Sequence, residues 1–378
     1  MFPLLGTGVL AAAFTIGVGV LTLIVARTVV TPPRRRIDDT RVISVDPAAG
    51  SITLNRSVDS ALAGDYSFWF SGSAGHARLG EVLSETEVSV TRKVISVDFG
   101  DLSRARRGRL SGWFYLHPRE FGHPFTDVLI ETELGPAPAW LVPADQPTGR
   151  WVIQVHGRAV SREETLRAIP VFRGAGYTSL LISYRNDPDA PASPDGRYAL
   201  GDTEWHDVEA ALRYAVDNGA TDVVLMGWSM GGATVLQAVT RSELADVVRG
   251  VVLDSPVIDW VTALRYQGEL RNLPNPVRSA ALVLIGRSWA RRLTGQLAPI
   301  DLPRLNFVRR SGELHLPILL MHSIDDGYVP STASHALAEA RPDIVSYEEF
   351  TVASHTRLWN YDRDRWNSAI AKWLTTIG

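Results

Sequence analysis

The rhythm of apolar and polar positions changes three times along the chain, and each change predicts a different kind of structure. Residues 1–26 carry no charged side chain. A helix of about 20 apolar residues crosses the ~30 Å hydrocarbon layer of a bilayer, so residues 1–30 are expected to form a transmembrane anchor. A secretory signal would instead show a basic start and a shorter apolar stretch ending in a small-residue cleavage site, and neither is clear. From residue 41 to 122 the apolar runs shorten. Val42-Ile43-Ser44-Val45, Ser51-Ile52-Thr53-Leu54, Tyr66 to Phe70, Val88-Ser89-Val90 and Val94 to Val97 are β-like, with Gly- and Pro-containing breaks between them. They predict a small antiparallel β-rich module.

From residue 123 onward strands alternate with helices. Strands are expected near Asp127 to Ile130, Ala139 to Val142, Arg150 to Val155, Ser179 to Ser183, Val223 to Met226, Leu316 to His322 and Val345 to Phe350, with helices at 163–173 and 202–216. That alternation predicts an α/β domain over 123–378, a mostly parallel sheet covered on both faces. Between 258 and 312 the alternation gives way to a helical stretch with Trp260, Leu264, Tyr266, Leu282, Leu284 and Trp289. These side chains are expected to pack that stretch on the core or to line an apolar site.

The chemistry begins at Gly227-Trp228-Ser229-Met230-Gly231. A buried strand precedes it and a helix follows at once, so Ser229 occupies a tight strand-to-helix turn in which only hydrogen fits two residues either side. A serine hydroxyl is almost wholly protonated at neutral pH and needs a base to become a nucleophile. Candidates lie downstream. Asp325 and Asp326 follow the strand ending at His322, and His355 follows the last strand, in the loop 351–356. The imidazole would take and return the proton, while a carboxylate fixes its tautomer.

These segments resemble the α/β-hydrolase superfamily, and within it bacterial membrane-anchored serine hydrolases of the esterase or S9/S33-like peptidase branch. The resemblance covers about residue 125 to the C-terminus. Gly227 to Gly232 matches the nucleophile elbow, Val155-His156-Gly157-Arg158 the HG-x loop, His322 to Pro330 the acid turn, and Ser354-His355-Thr356 the histidine loop. Ser323 and Ser354 stand where that pattern has glycine, a departure that bears on loop geometry. The resemblance implies a catalytic triad of Ser229, Asp326 and His355; Asp326 takes the acid role because it precedes Val329 by three residues and Pro330 by four. It also implies an oxyanion hole from the backbone N–H groups of Met230 and Arg158, and a cap over 258–312. Asp254, at the end of another buried strand, is an alternative acid or a structural cap. His156 reads as a structural loop histidine, and His206-Asp207 as the first turns of an amphipathic helix.

Composition narrows the picture. Hydrophobic residues make up 45% and charged residues 21%, the proportions of a globular chain. A net charge of -3 offers no reason to expect a nucleic-acid partner, and the absence of cysteine excludes disulfides and thiol nucleophiles. No metal or cofactor is expected, because no imidazole or carboxylate cluster has ligand spacing. Arg27, Arg34, Arg35, Arg36 and Arg41 follow the apolar run, which by the positive-inside rule puts the catalytic domain on the cytoplasmic face of the cell membrane. The expected protein is a membrane-anchored hydrolase of the α/β-hydrolase fold. It would cleave an ester, thioester or amide of a small-molecule or lipid-like acyl substrate. The alternatives are a prolyl-oligopeptidase-like or aminopeptidase-like serine peptidase and a non-catalytic binding protein on the same fold. The anchor itself is expected to contribute no catalytic group, so that its deletion leaves an active soluble enzyme.

Overall fold

The computed structural model describes the backbone of residues 3–33 and 35–377, and side chains from Ile16 onward apart from Arg34. A single helix, Pro3–Val30, opens the chain. Among the described residues no helix is long and apolar enough to cross a membrane. Half of the expected anchor falls outside them, since the side chains of residues 1–15 do. The end of this helix is packed on the protein: Ala26 and Val30 are fully buried in the main hydrophobic core.

Six strands follow: β1 (Thr40–Asp46), β2 (Ser51–Asn55), β3 (Tyr66–Phe70), β4 (Gly75–Glu85), β5 (Ser89–Phe99) and β6 (Arg107–Ser111). They close into an antiparallel barrel in the order β1-β2-β5-β4-β3-β6. Two of them, β4 and β6, carry no clear sequence signal, because glycines interrupt their apolar pattern. The barrel explains those glycines. A Cβ on Gly108 would lie 2.3 Å from the Phe68 ring, and one on Gly75 2.0 Å from the Phe70 ring. Backbone there must approach large aromatics that fill the barrel. The two short segments expected at 88–90 and 94–97 are one strand, β5.

The second sheet holds β7 (Thr126–Thr132), β8 (Gly135–Val142), β9 (Arg150–Val155), β10 (Thr178–Ile182), β11 (Asp222–Trp228), β12 (Val248–Asp254), β13 (Ile318–Ser323) and β14 (Val345–Phe350), in the order β14-β13-β12-β11-β9-β10-β8-β7. Strands β14 through β10 run parallel, while β8 and β7 are antiparallel. Their continuous apolar sequences serve two faces at once. In β11, Val223 and Leu225 enter one core, whereas Val224, Met226 and Trp228 enter the other. The helix Trp205–Asp217 covers the first face, and Arg363–Ile377 covers the second through Trp366, Ile370 and Trp373.

Residues 258–312 form helices Trp260–Leu270 and Asn275–Ile285 and shorter turns. Trp260 anchors this cap, donating its Nε1–H to the Leu200 carbonyl at 2.7 Å. Trp289, expected inside, is 65% exposed. Asp207 belongs to the scaffold, where it accepts Nε–H of Arg185 at 2.7 Å in a buried pair.

Candidate active site

Parallel strands deliver their C-terminal ends to one edge of the sheet, and the functional side chains gather there. Ser229 leaves β11 with φ 50° and ψ −115°, a conformation that L-residues rarely adopt. Its neighbours make the turn possible. A Cβ on Gly227 would lie 2.5 Å from the Gly231 carbonyl carbon, and one on Gly231 would lie 2.1 Å from the Val155 carbonyl oxygen. Substitution at either position must therefore move β9 or β11.

Ser229 Oγ lies 2.9 Å from His355 Nε2, and His355 Nδ1 lies 2.7 Å from Asp326 Oδ2. The direction of this relay follows from its end. Asp326 is buried and accepts backbone N–H groups of Tyr328 and Val329 on Oδ1 at 2.8 and 2.9 Å. Burial pushes its carboxyl up, but the charge of His355 and hydrogen bonds from His322 and His355 outweigh burial and hold it well below the ordinary carboxylate range. An ionised Asp326 can only accept, so Nδ1 of His355 donates, and in the neutral imidazole Nε2 then holds the lone pair that faces the serine hydroxyl.

His322 completes this side of the site, a role its place in the sequence does not reveal. Its Nε2 faces two acceptors, Asp326 Oδ2 at 3.2 Å and the Val329 carbonyl at 3.1 Å, so that nitrogen carries the proton. Its Nδ1 meets Ser334 Oγ at 2.7 Å. Asp325 is exposed and accepts Val352 N–H at 2.6 Å, which pins the histidine loop without touching the imidazole. Asp254 is equally engaged elsewhere. Its oxygens accept Ser255 Oγ–H and Trp366 Nε1–H, both at 2.9 Å, which leaves it as a buttress beneath the elbow.

Across from the imidazole runs the loop 156–158. A Cβ on Gly157 would sit 3.3 Å from Ser229 Cβ, so the loop passes directly over the serine. Among the described residues the N–H groups of Met230 and Arg158 have no hydrogen-bond acceptor, as an oxyanion hole requires. Three further groups fix the loop. Glu164 accepts Gly157 N–H at 2.8 Å, Tyr184 donates its hydroxyl to the Gly157 carbonyl at 2.9 Å, and His156 bridges the same carbonyl and Asp187 at 2.9 and 2.7 Å. Both ring nitrogens of His156 face acceptors. Burial disfavours its charge, yet the Asp187 carboxylate prevails and holds its pKa above the ordinary value. Glu164, Tyr184 and Asp187 lie 7 to 31 residues from the partners they hold, at no fixed motif spacing, and no sequence pattern flagged them.

Ser229 opens into a cavity of about 220 Å³. Trp260, Leu264 and Leu282 line it as expected of the cap, with Val257 and Ile285; Tyr266 and Leu284 do not. The N-terminal helix also lines it, through Ile24, Val25, Thr28 and Val29. The segment expected to serve only as an anchor is thus also part of the pocket lining. Among the described residues no cluster of His, Asp or Glu could hold a metal ion.

A model of the alpha/beta hydrolase family matches residues 152–369, and a model described as a domain of unknown function matches residues 41–111. No curated protein matches the chain. Among solved structures, an esterase of Pyrococcus furiosus superposes with a TM-score of 0.54 at 20% identity, over 70% of this chain and 95% of its own. Est1E of Butyrivibrio proteoclasticus, with ferulic acid bound, gives a TM-score of 0.51 at 17% identity, over 66% of this chain and 98% of its own. At these identities the likeness speaks for the fold.

Proposed function

The chain belongs to the alpha/beta hydrolase family, and we propose that this hydrolase is a carboxylic-ester hydrolase acting through an acyl-enzyme on Ser229. The observation that carries this reading is the unbroken relay from Asp326 through His355 to Ser229 Oγ, set at the mouth of an apolar cavity. Ser229 Oγ attacks the ester carbonyl while His355 Nε2 takes its proton. The N–H groups of Met230 and Arg158 receive the developing oxyanion, where the start of the helix Met230–Arg241 also favours negative charge. His355 then protonates the departing alcohol. Water, deprotonated by the same nitrogen, releases the acid and restores the serine.

The ester reading is favoured over the peptidase one by the cavity's walls. Its charged lining residues are Arg158, Arg271 and Arg278, and no carboxylate is among them to hold a substrate amine. A membrane anchor within residues 1–30, N-terminal to the turns that pack on the hydrolase, with the catalytic domain cytoplasmic, remains part of the proposal. It is supported by the charge-free run 1–26 and by Ile16 and Val20, each more than half exposed on the helix. Protease added outside intact spheroplasts should leave the C-terminal domain whole; digestion there would reverse the topology.

A fluorophosphonate probe tests the chemistry, because only an activated serine attacks phosphorus at a useful rate. It should label Ser229, and Ser229→Ala should lose both labelling and turnover of p-nitrophenyl esters. Labelling of a different serine, or turnover of aminoacyl-anilides but not esters, would overturn the proposal.

A further inference from the structure

The N-terminal helix meets the active site with one face. Ile24, Val25, Thr28 and Val29, spaced i, i+1, i+4 and i+5, fall on a single side of a helix and line the cavity that contains Ser229. That wall is free of unpaired donors, since the hydroxyl of Thr28 is bonded back to the Ile24 carbonyl at 2.8 Å. Val257, Leu264, Leu282 and Ile285 line the same cavity. A cavity with this apolar lining suits a hydrocarbon chain.

The same helix is tied to the loop over the serine. The last carbonyls of a helix lack partners and carry its negative dipole end, so a cation is favoured there. Arg158 fills that place: its Nη2 donates to the carbonyls of Thr28, Val29 and Thr31 at 2.9, 3.0 and 3.0 Å. Its own backbone N–H is the one assigned above to the oxyanion hole. Two more bonds seat the helix, Tyr198 N–H to the Val30 carbonyl at 2.8 Å and Arg27 Nε to the cap carbonyl of Leu293 at 2.7 Å.

We propose that the Ile24–Val29 face of the N-terminal helix is one wall of the acyl site, which accepts esters of linear apolar acids, and that Arg158 couples the seating of this helix to the oxyanion loop. The inference rests on the esterase reading and adds to it the element that selects the acyl chain. Arg158 is, on its side-chain account, a positioning residue acting through the helix.

The test uses the full-length enzyme in detergent and p-nitrophenyl esters from acetate to dodecanoate. Thr28→Trp and Val29→Trp fill the channel, and the octanoate-to-acetate ratio of kcat/KM should drop about tenfold or more in each. Thr28 is exposed enough to accept the change without disturbing the core, which guards against a variant that fails to fold. Arg158→Ala keeps the backbone N–H and should lower kcat by about tenfold at every chain length, with Arg158→Lys recovering part of the loss. An unchanged chain-length ratio in both Trp variants, with wild-type ester turnover intact, overturns the wall. No recovery in Arg158→Lys overturns the coupling. Absence of wild-type turnover on every ester overturns the esterase reading itself and this substrate class with it.

Discussion

The two segments that precede the hydrolase sheet grip opposite sides of one site, and they do so by different means. The N-terminal helix holds the oxyanion side through its own backbone, presenting terminal carbonyls to the side chain of Arg158. The barrel module holds the histidine side through side chains and backbone of the segment between β2 and β3. Asp59 pairs with Arg357 at 2.6 Å and accepts Ser354 Oγ–H at 3.3 Å, while Asn360 donates to the Asp65 carbonyl at 2.8 Å. Buried Arg167 then ties this contact inward, donating to the carbonyls of Gly112 and Thr356 at 3.2 and 2.8 Å and to Asn360 Oδ1 at 3.0 Å. The histidine loop needs such support, because Val352 and Thr356 take positive φ values of 68° and 53° without being glycine. A helix terminus offers unsatisfied carbonyls to any nearby cation, whereas a closed barrel has no free strand edge and reaches out through the segment that joins two of its strands.

The largest effect should come from breaking the residue on which the histidine side converges. Asp326→Asn should lower kcat by roughly 10⁴-fold through loss of the Nδ1–H tautomer and of imidazolium stabilisation, with the circular dichroism of the fold retained. Asp325→Asn should cost less than about tenfold, because that carboxylate meets only the Val352 N–H. Equal losses in the two variants would mean that the acid turn acts as a whole. Next in size is Arg167→Ala, which strips a buried network and should destabilise the fold by about 3 kcal/mol or more, read as a lower urea midpoint at unchanged m.

Glu164→Ala sharpens the other side. It leaves the Gly157 N–H without a partner, and kcat should fall about tenfold with KM little changed, since a misplaced loop weakens transition-state binding more than ground-state binding. The smallest effect is one of pH. The folded Asp326 carboxyl lies below its unfolded value of about 4, so its stabilisation is complete above that value and is lost as pH falls through the folded one. Urea midpoints measured from pH 7 to pH 3 should therefore decline on the acid limb, and Asp326→Asn should flatten that decline. An identical acid limb in the variant would assign the loss to other carboxylates.

How much of this was legible beforehand depended on whether a feature is local in the chain. Gly227, Ser229 and Gly231 declare the elbow because steric exclusion within one turn involves only residues two apart. The buried strands declare themselves as apolar runs because both faces of the sheet are covered. Asp326 and His355 stand out as candidates because each follows a strand end in a recognisable turn. By contrast, β4 and β6 escaped notice because their glycines make sense only against Phe68 and Phe70 of a neighbouring strand. In the sequence His322 is only the end of a strand, and its bond to Asp326 follows from the turn folding back on itself.

The sequence by itself determined the fold class, the strand-turn-helix that strains Ser229, and the order in which serine, acid and histidine appear, since these depend on local sterics and the period of burial. Only the tertiary structure decided that a helix from the first thirty residues walls the pocket and that a barrel braces the histidine loop. Those contacts join residues 130 and 295 positions apart, as Arg158 to Thr28 and Asn360 to Asp65 show. No periodicity or propensity carries information over such a separation, because the pairing is set by the shapes and charges of surfaces that exist only once each part has folded.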